Sequence, residues 1–216
     1  MPERIAADFL PDTLPGNPMH LVNAWLRDAR DADFVPNPNA MTLATSEAGR
    51  PAARIVLCKG FDAEAGIVDF YTNYESAKGR VIDAYPEVAL VFHWDHQSRQ
   101  VRIEGLALRA PAEQSDAYFA SRPRKSQLGA WASAQSQPID SRDAMLARFE
   151  AATAEHGDDS VARPPHWGGY RVWARACELW VEGAGRVHDR ARFERDLTVS
   201  GDTVKAGAWQ GSRLQP

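Results

Sequence analysis

The densest run of chemistry-bearing side chains lies near the C-terminus, where Arg186, His188, Arg190 and Arg192 alternate with Val187, Asp189 and Ala191. On a β-strand, side chains two apart share a face, so Arg186, His188 and Arg190 project together. Two guanidinium groups flanking an imidazole suit an anionic, planar ligand. Trp180 and a glycine-bearing turn from Val181 to Gly185 precede the run. The same alternation also fits a solvated edge strand with scattered charges.

Three further groups point to anion chemistry. Tyr118 and Arg122 are four apart and share one helix face, and Ser126 follows a break at Pro123. A phenol, a guanidinium and a hydroxyl make an anion-binding trio. Tyr71, Thr72 and Lys78 sit where a strand runs through a polar turn into a short helix. Hydroxyls, N–H groups at a helix start and a lysine suit a phosphate, though an ordinary helix cap uses the same residues. The segment lacks a GxxxxGK[ST] run and is no nucleoside-triphosphate loop. Finally, Arg54 and Lys59 bracket an apolar strand on opposite faces, where they either flank a flat ring or reach solvent. The chain has no GxSxG, no HExxH and no paired His/Cys spacing; His93 and His96 lack a third ligand. No metal site is expected. Cationic sites without metal or nucleophile place any chemistry in a bound cofactor.

The elements that must position these groups read as follows. Residues 1–17 are polar and proline-rich, an extended or mobile arm. An amphipathic helix covers Met19 to Asp33. Strands follow at Ala40–Thr45, Pro51–Lys59, Ile67–Thr72, Val88–Trp94 and Gln100–Arg109, with a loop at Gly60–Gly66 and a short helix at Ser76–Ala84. Helical spacing returns at Ala112–Arg122 and Ser141–Glu155. Strands resume at Gly169–Ala176, Cys177–Glu182 and Arg186–Asp196, with a weak pair near 197–200 and 203–209. The class is α+β, an antiparallel barrel carrying helices, with residues 18–216 as one domain. A net charge of −4 gives no reason to expect nucleic acid or an anionic membrane surface. No apolar run reaches the ~20 residues of a spanning helix. Two distant cysteines, Cys58 and Cys177, fit a reduced, cytoplasmic setting, and seven tryptophans hint at a dimer interface or a flat ring to cover.

Taken together, several ordered segments resemble the pyridoxine (pyridoxamine) 5′-phosphate oxidase family. They are Asn39–Thr45, Arg54–Phe61, Phe70–Ser76, Arg99–Gly105, Ser115–Arg124, Ser126–Ser133, Pro164–Arg171 and Arg186–Arg190. The resemblance spans about residues 19 to 195. It implies a split β-barrel homodimer with FMN at the subunit interface. It further implies oxidation of pyridoxamine or pyridoxine 5′-phosphate to pyridoxal 5′-phosphate, with electrons passed to O2 and hydrogen peroxide released. By the same resemblance the FMN contacts are Arg54, Ile55, Val56, Leu57, Cys58, Lys59, Tyr71, Thr72, Lys78, Gln100, Gln135, Ser136, Trp180 and Arg190. The substrate phosphate meets Lys59, Tyr118, Arg122 and Ser126, and Arg186 and His188 are the catalytic pair facing the substrate ring.

Two departures from the family pattern matter, the first for the FMN phosphate and the second for the substrate. A second basic residue normally precedes the lysine of the phosphate helix; here it is Ala77, with Arg80 as a candidate replacement. The arm lacks the family's Arg-x-x-Tyr lid. The Asn17-Pro18 start and the Arg213–Pro216 ending are more similar to the FMN-dependent oxidases of phenazine biosynthesis, which oxidise reduced tricyclic precursors. The retained phosphate set favours the vitamin B6 substrate over that alternative. The same barrel also serves as a flavin- or pyridoxal-phosphate-binding protein without turnover, a third reading that the Arg186/His188 pair opposes.

Overall fold

The computed structural model describes residues 9–32, 36–201 and 203–216. Eight residues of the expected N-terminal arm and the last residue of the expected first helix, Asp33, lie outside them. The helix α1 spans Met19–Asp31 and buries Met19, Val22, Trp25, Leu26 and Ala29 on one stripe, as its periodicity requires.

Strands β1 (Ala40–Glu47) and β2 (Arg50–Leu57) form a hairpin over Ala48 and Gly49, both at positive φ (48° and 78°), the backbone that two-residue hairpin turns demand. A short strand β3 (Gly60–Asp62) occupies part of the expected loop and pairs with β4 (Ile67–Asn73). Helix α2 (Ala77–Ala84) is capped by Ser76, whose hydroxyl accepts from the Gly79 N–H. Strands β5 (Glu87–Trp94) and β6 (Arg99–Arg109) alternate buried Val88, Leu90, Phe92 and Val101, Ile103, Ala107 with outward residues. Three helices follow: α3 (Ala112–Ser121), α4 (Arg124–Ala132) and α5 (Arg142–His156).

The two strands expected at 169–176 and 177–182 are one strand, β7 (Trp167–Val181). A register shift between Glu104 and Gly105 of β6 interrupts its alternation, and a Cβ on Gly105 would lie 2.0 Å from the Trp173 carbonyl oxygen. Strands β8 (Asp189–Glu194), β9 (Leu197–Ser200), β10 (Thr203–Ala206) and β11 (Gln210–Leu214) complete the chain.

The main sheet runs β11-β8-β7-β6-β5-β1-β2, wholly antiparallel, with β4 joined to β7. Helices flank it, an α+β arrangement. β4 pairs with the first half of β7 and β8 with the second half. The core lies between the sheet and α1, and a smaller cluster of Phe119, Leu128, Val161 and Trp167 lies under α3 and α4. From Phe9 onward the arm is tied down. Leu10 is buried and its N–H donates to Asp189 Oδ2 at 2.8 Å, while Arg213 pairs with Asp189 and donates to the Pro11 carbonyl at 2.9 Å.

Candidate active site

A cavity of about 290 Å³ opens between β2, β4, α2, α3 and the start of β7. Its walls hold Ile55, Val56, Leu57, Lys59, Tyr71, Thr72, Lys78, Tyr118, Arg122, Gln135 and Trp167. Ten of these eleven were expected from sequence; Trp167 was not. The signal for it was its place beside Gly168 and Gly169. A Cβ at Gly169 would come within 2.9 Å of the Tyr71 ring, so a bare backbone there lets Tyr71 lie flat on the strand.

Tyr71 stacks on Tyr118 with ring centroids 3.9 Å apart, and Trp167 stacks on Tyr71 at 5.6 Å. Arg122 lies over Trp167 at 4.5 Å. Its Nη1 is buried with no hydrogen-bond partner, and burial pushes its pKa down. A second cationic group sits deeper. Lys78 Nζ donates to Gln135 Oε1 at 2.8 Å, Thr72 Oγ1 at 3.1 Å and Ser76 Oγ at 3.3 Å. Burial and then the nearby charge of Arg54 lower its pKa. Among the described residues no carboxylate lines the cavity. Half-buried cations without a carboxylate partner are short of a counter-charge, so the cavity fits a bound anion such as a phosphate. The exposed faces of Ile55 and Leu57, 63% and 38% accessible, offer a flat apolar wall beside it.

Some expected contacts do not reach this cavity with their side chains. Arg54 donates to Thr45 Oγ1 at 2.8 Å. Cys58 is buried, its thiol turned to the Gly60 carbonyl and pushed up to about 12, chiefly by burial. Ser126 sits in the first turn of α4, and Ser136 takes a left-handed backbone (φ 71°) beside Gln135. Arg80, the candidate replacement for the base missing at Ala77, donates from Nη1 to the Glu75 carbonyl.

The remaining expected residues form a second group. Gln100, Trp180 and Arg190 stand in one row across β6, β7 and β8. The His188 ring packs on Trp180 with centroids 4.6 Å apart. The expectation that Arg186, His188 and Arg190 share one strand face is corrected here. The strand starts only at Asp189, and Arg186 ends a short 3-10 turn (Ala184–Arg186) with a left-handed backbone of its own, φ 65°. Gly185 (φ 64°) and Arg186 curl the chain so tightly that a Cβ on Gly183 would lie 1.8 Å from the Val187 carbonyl oxygen. That curl brings the Gly183 N–H to His188 Nδ1 at 3.2 Å. A backbone N–H only donates, so the neutral ring carries its proton on Nε2. No hydrogen bond or ring contact joins the two groups among the described residues. Trp167 and Trp180 are thirteen residues apart on β7, roughly 40 Å along a strand.

Comparison with known proteins identifies this arrangement. The family model described as Pyridoxamine 5′-phosphate oxidase matches residues 28–156, and that of the Pyridoxine 5′-phosphate oxidase C-terminal dimerisation region matches 167–216. The chain belongs to the pyridoxamine 5′-phosphate oxidase family. A pyridoxine/pyridoxamine 5′-phosphate oxidase of Paraburkholderia phytofirmans is 49% identical over 93% of this chain and 89% of its own length. That of Azorhizobium caulinodans is 47% identical over 94% and 92%. Among solved structures, PhzG from Burkholderia lata, in complex with tetrahydrophenazine-1-carboxylic acid, superposes with a TM-score of 0.84 at 29% identity, over 98% of this chain and all of that one. A pyridoxamine 5′-phosphate oxidase-related, FMN-binding protein of Nostoc punctiforme shares the fold, with a TM-score of 0.69 at 18% identity over 94% of this chain and all of that one. Members of the pyridoxamine 5′-phosphate oxidase family are oxidases, and the second family match gives the C-terminal quarter a dimerisation region.

Proposed function

We propose that this chain is an FMN-dependent oxidase converting pyridoxamine or pyridoxine 5′-phosphate to pyridoxal 5′-phosphate, with O2 as acceptor and H2O2 as product. The observation that carries the reading is Arg122: a half-buried guanidinium whose buried Nη1 has no partner among the described residues, beside Tyr118 and Lys59 in a cavity that no described carboxylate lines. These three, with Ser126, would hold the substrate phosphate. Lys78, Thr72, Gln135 and Ser136, in the field of Arg54, would hold the flavin phosphate. The end of β2 and the residues after it, from Ile55 to Lys59, with Tyr71, would line the flavin. The 1–17 arm and a single 18–216 domain complete the reading.

Bound flavin would supply the two-electron redox chemistry, with O2 as the final acceptor. The chain's own residues orient and charge-balance the substrate. Arg186 presents a guanidinium, and His188, with Nδ1 engaged by Gly183, presents Nε2–H to the substrate ring. Trp180 fixes the plane of that imidazole.

The geometry also favours a two-copy site. Gln100, Trp180, Arg190, Arg186 and His188 lie too far along β7 from the phosphate cavity to serve one small ligand with it. A second chain brings its own row to the first chain's cavity, giving a homodimer with two composite sites, each barrel split between flavin and partner. The exposed Ile55 and Leu57 and the C-terminal dimerisation match support this. Among the described residues no helix is long and apolar enough to cross a membrane; a reduced cytoplasm suits the two free, buried thiols.

One observation favours a second reading. The full-length superposition on PhzG, together with an arm lacking Arg-x-x-Tyr, fits oxidation of a reduced phenazine carboxylate. The relatives at 47–49% identity named for the vitamin B6 reaction weigh toward the first. Aerobic peroxide production with pyridoxamine 5′-phosphate, beside a reduced phenazine carboxylate, tests both. Turnover of the phosphate, lost in Arg186→Ala and His188→Ala, is the expected result. Oxidation of the phenazine alone would sink it, and FMN binding without peroxide from either would leave a carrier.

A further inference from the structure

Within the proposed flavin site, Arg190 depends on a residue that the reading leaves unused. Glu178 lies two positions before Trp180 on β7, on the same face of the strand. Its carboxylate is only 5% exposed, and both oxygens are committed. Oε1 accepts from Arg190 Nη2 at 2.8 Å and from Arg190 Nε at 3.3 Å; Oε2 accepts from Arg102 Nη1 at 3.3 Å. The remaining nitrogen of Arg190, Nη1, donates to the Gln215 carbonyl at 3.0 Å. Arg102 is the direct cross-strand neighbour of Glu178, whereas Arg190 is the neighbour of Trp180. Glu178 therefore reaches diagonally across the β7–β8 pair to take Arg190 by its edge.

A buried ion pair contributes little net stability over apolar packing of the same shape, because two desolvation costs oppose the attraction. What it fixes well is geometry: two nitrogens of one guanidinium edge meeting a single carboxylate oxygen, whose twin is held by Arg102, limit both the plane and the position of Arg190. We infer that Glu178 is the positioning residue of the flavin site, holding Arg190 beside Trp180 so that the pair meets the flavin preorganised. The inference rests on the assignment of Arg190 to flavin contact made above. Arg102 shares the load by engaging the second oxygen, which keeps the carboxylate from rotating away.

The test is FMN affinity of the full chain stripped of flavin, read by quenching of flavin fluorescence, in wild type, Glu178→Gln, Arg190→Ala and the double variant. Arg190→Ala is expected to weaken binding by about tenfold or more, the worth of a charge-assisted contact. Glu178→Gln is expected to weaken it by about tenfold alone, and by less than about twofold once Arg190 is gone, because it acts through that side chain. Equal weakening in both backgrounds would mark Glu178 as a staple of the sheet only and overturn the inference. So would unchanged affinity in Glu178→Gln while Arg190→Ala is impaired. Unchanged affinity in Arg190→Ala, or no FMN uptake by wild type, would overturn the underlying flavin reading and the inference with it. Glu178→Asp keeps the charge but withdraws it by one methylene. It replaces Glu178→Gln if that variant does not fold, with the same expected pattern.

Discussion

Arg122 is held by faces rather than by partners. Trp167 and Phe119 lie against its guanidinium plane, at 4.5 Å and 5.5 Å, yet Nη1 has no acceptor. Such a group gains most when a dianion arrives. Arg122→Ala is expected to lower kcat/KM for the phosphorylated substrate by about 10²-fold, the worth of one strong charge-assisted contact, while FMN affinity moves far less; steady-state kinetics beside a flavin titration checks this. The cysteines lie at the opposite extreme. Burial raises both thiols, Cys58 to about 12 and Cys177 further. A raised thiol pKa favours the fold below the unfolded value of 9.0. That contribution is lost as pH climbs through the folded value. Melting temperature is therefore expected to fall progressively above about pH 9. At pH 8 iodoacetamide is expected to label neither cysteine in the native protein and both in urea; mass spectrometry reads the adducts.

Elements were legible where one rule governed them. Alternation in Val88, Leu90 and Phe92 gave β5 within a residue, and the stripe from Met19 to Ala29 gave α1. β7 was not legible as one strand, because the register shift at Glu104/Gly105 leaves Ala176, Cys177, Glu178 and Leu179 all buried in succession. α4 escaped because its first turn is polar and it buries only Gln127, Leu128 and Ala132. The turn before β8 escaped for a different reason: a left-handed arginine at 186 follows from the tight approach of Gly183 to Val187, which spacing does not encode. That turn is the element on which the proposed catalytic pair depends. Gly183→Ala must open it, parting the Gly183 N–H from His188 Nδ1. Turnover is expected to fall by about 10²-fold, as for an ångström-scale misplacement, with FMN affinity nearly intact. Stopped-flow reduction of bound flavin separates this outcome from simple unfolding.

At the scale of the molecule, ten residues of the cavity were readable as types, and Arg190, Trp180 and His188 were readable as a cluster. That the two groups lie toward opposite ends of β7 was not. Motif order carries no distance, and the long β7 sets that distance. The proposed homodimer predicts a solution mass twice that of the chain by light scattering. Replacing Leu57 with Asp on the exposed edge of β2 is expected to shift that mass toward the monomer and release flavin together with it.

The separation of the two groups along β7 has a genetic consequence. In the proposed homodimer, a chain carrying Arg122→Ala would spoil the phosphate cavity it contributes but not its proposed catalytic pair; a chain carrying Arg186→Ala would do the reverse. Each is expected to be severely impaired alone. Expressed together they pair at random, and every mixed dimer assembles one undamaged site beside one doubly damaged site. About a quarter of wild-type activity should then reappear in the mixture, from half the dimers with one working site in two. Two dead genes in one cell would restore the vitamin auxotroph that neither rescues singly, and no such rescue would occur were each chain to hold a whole site of its own.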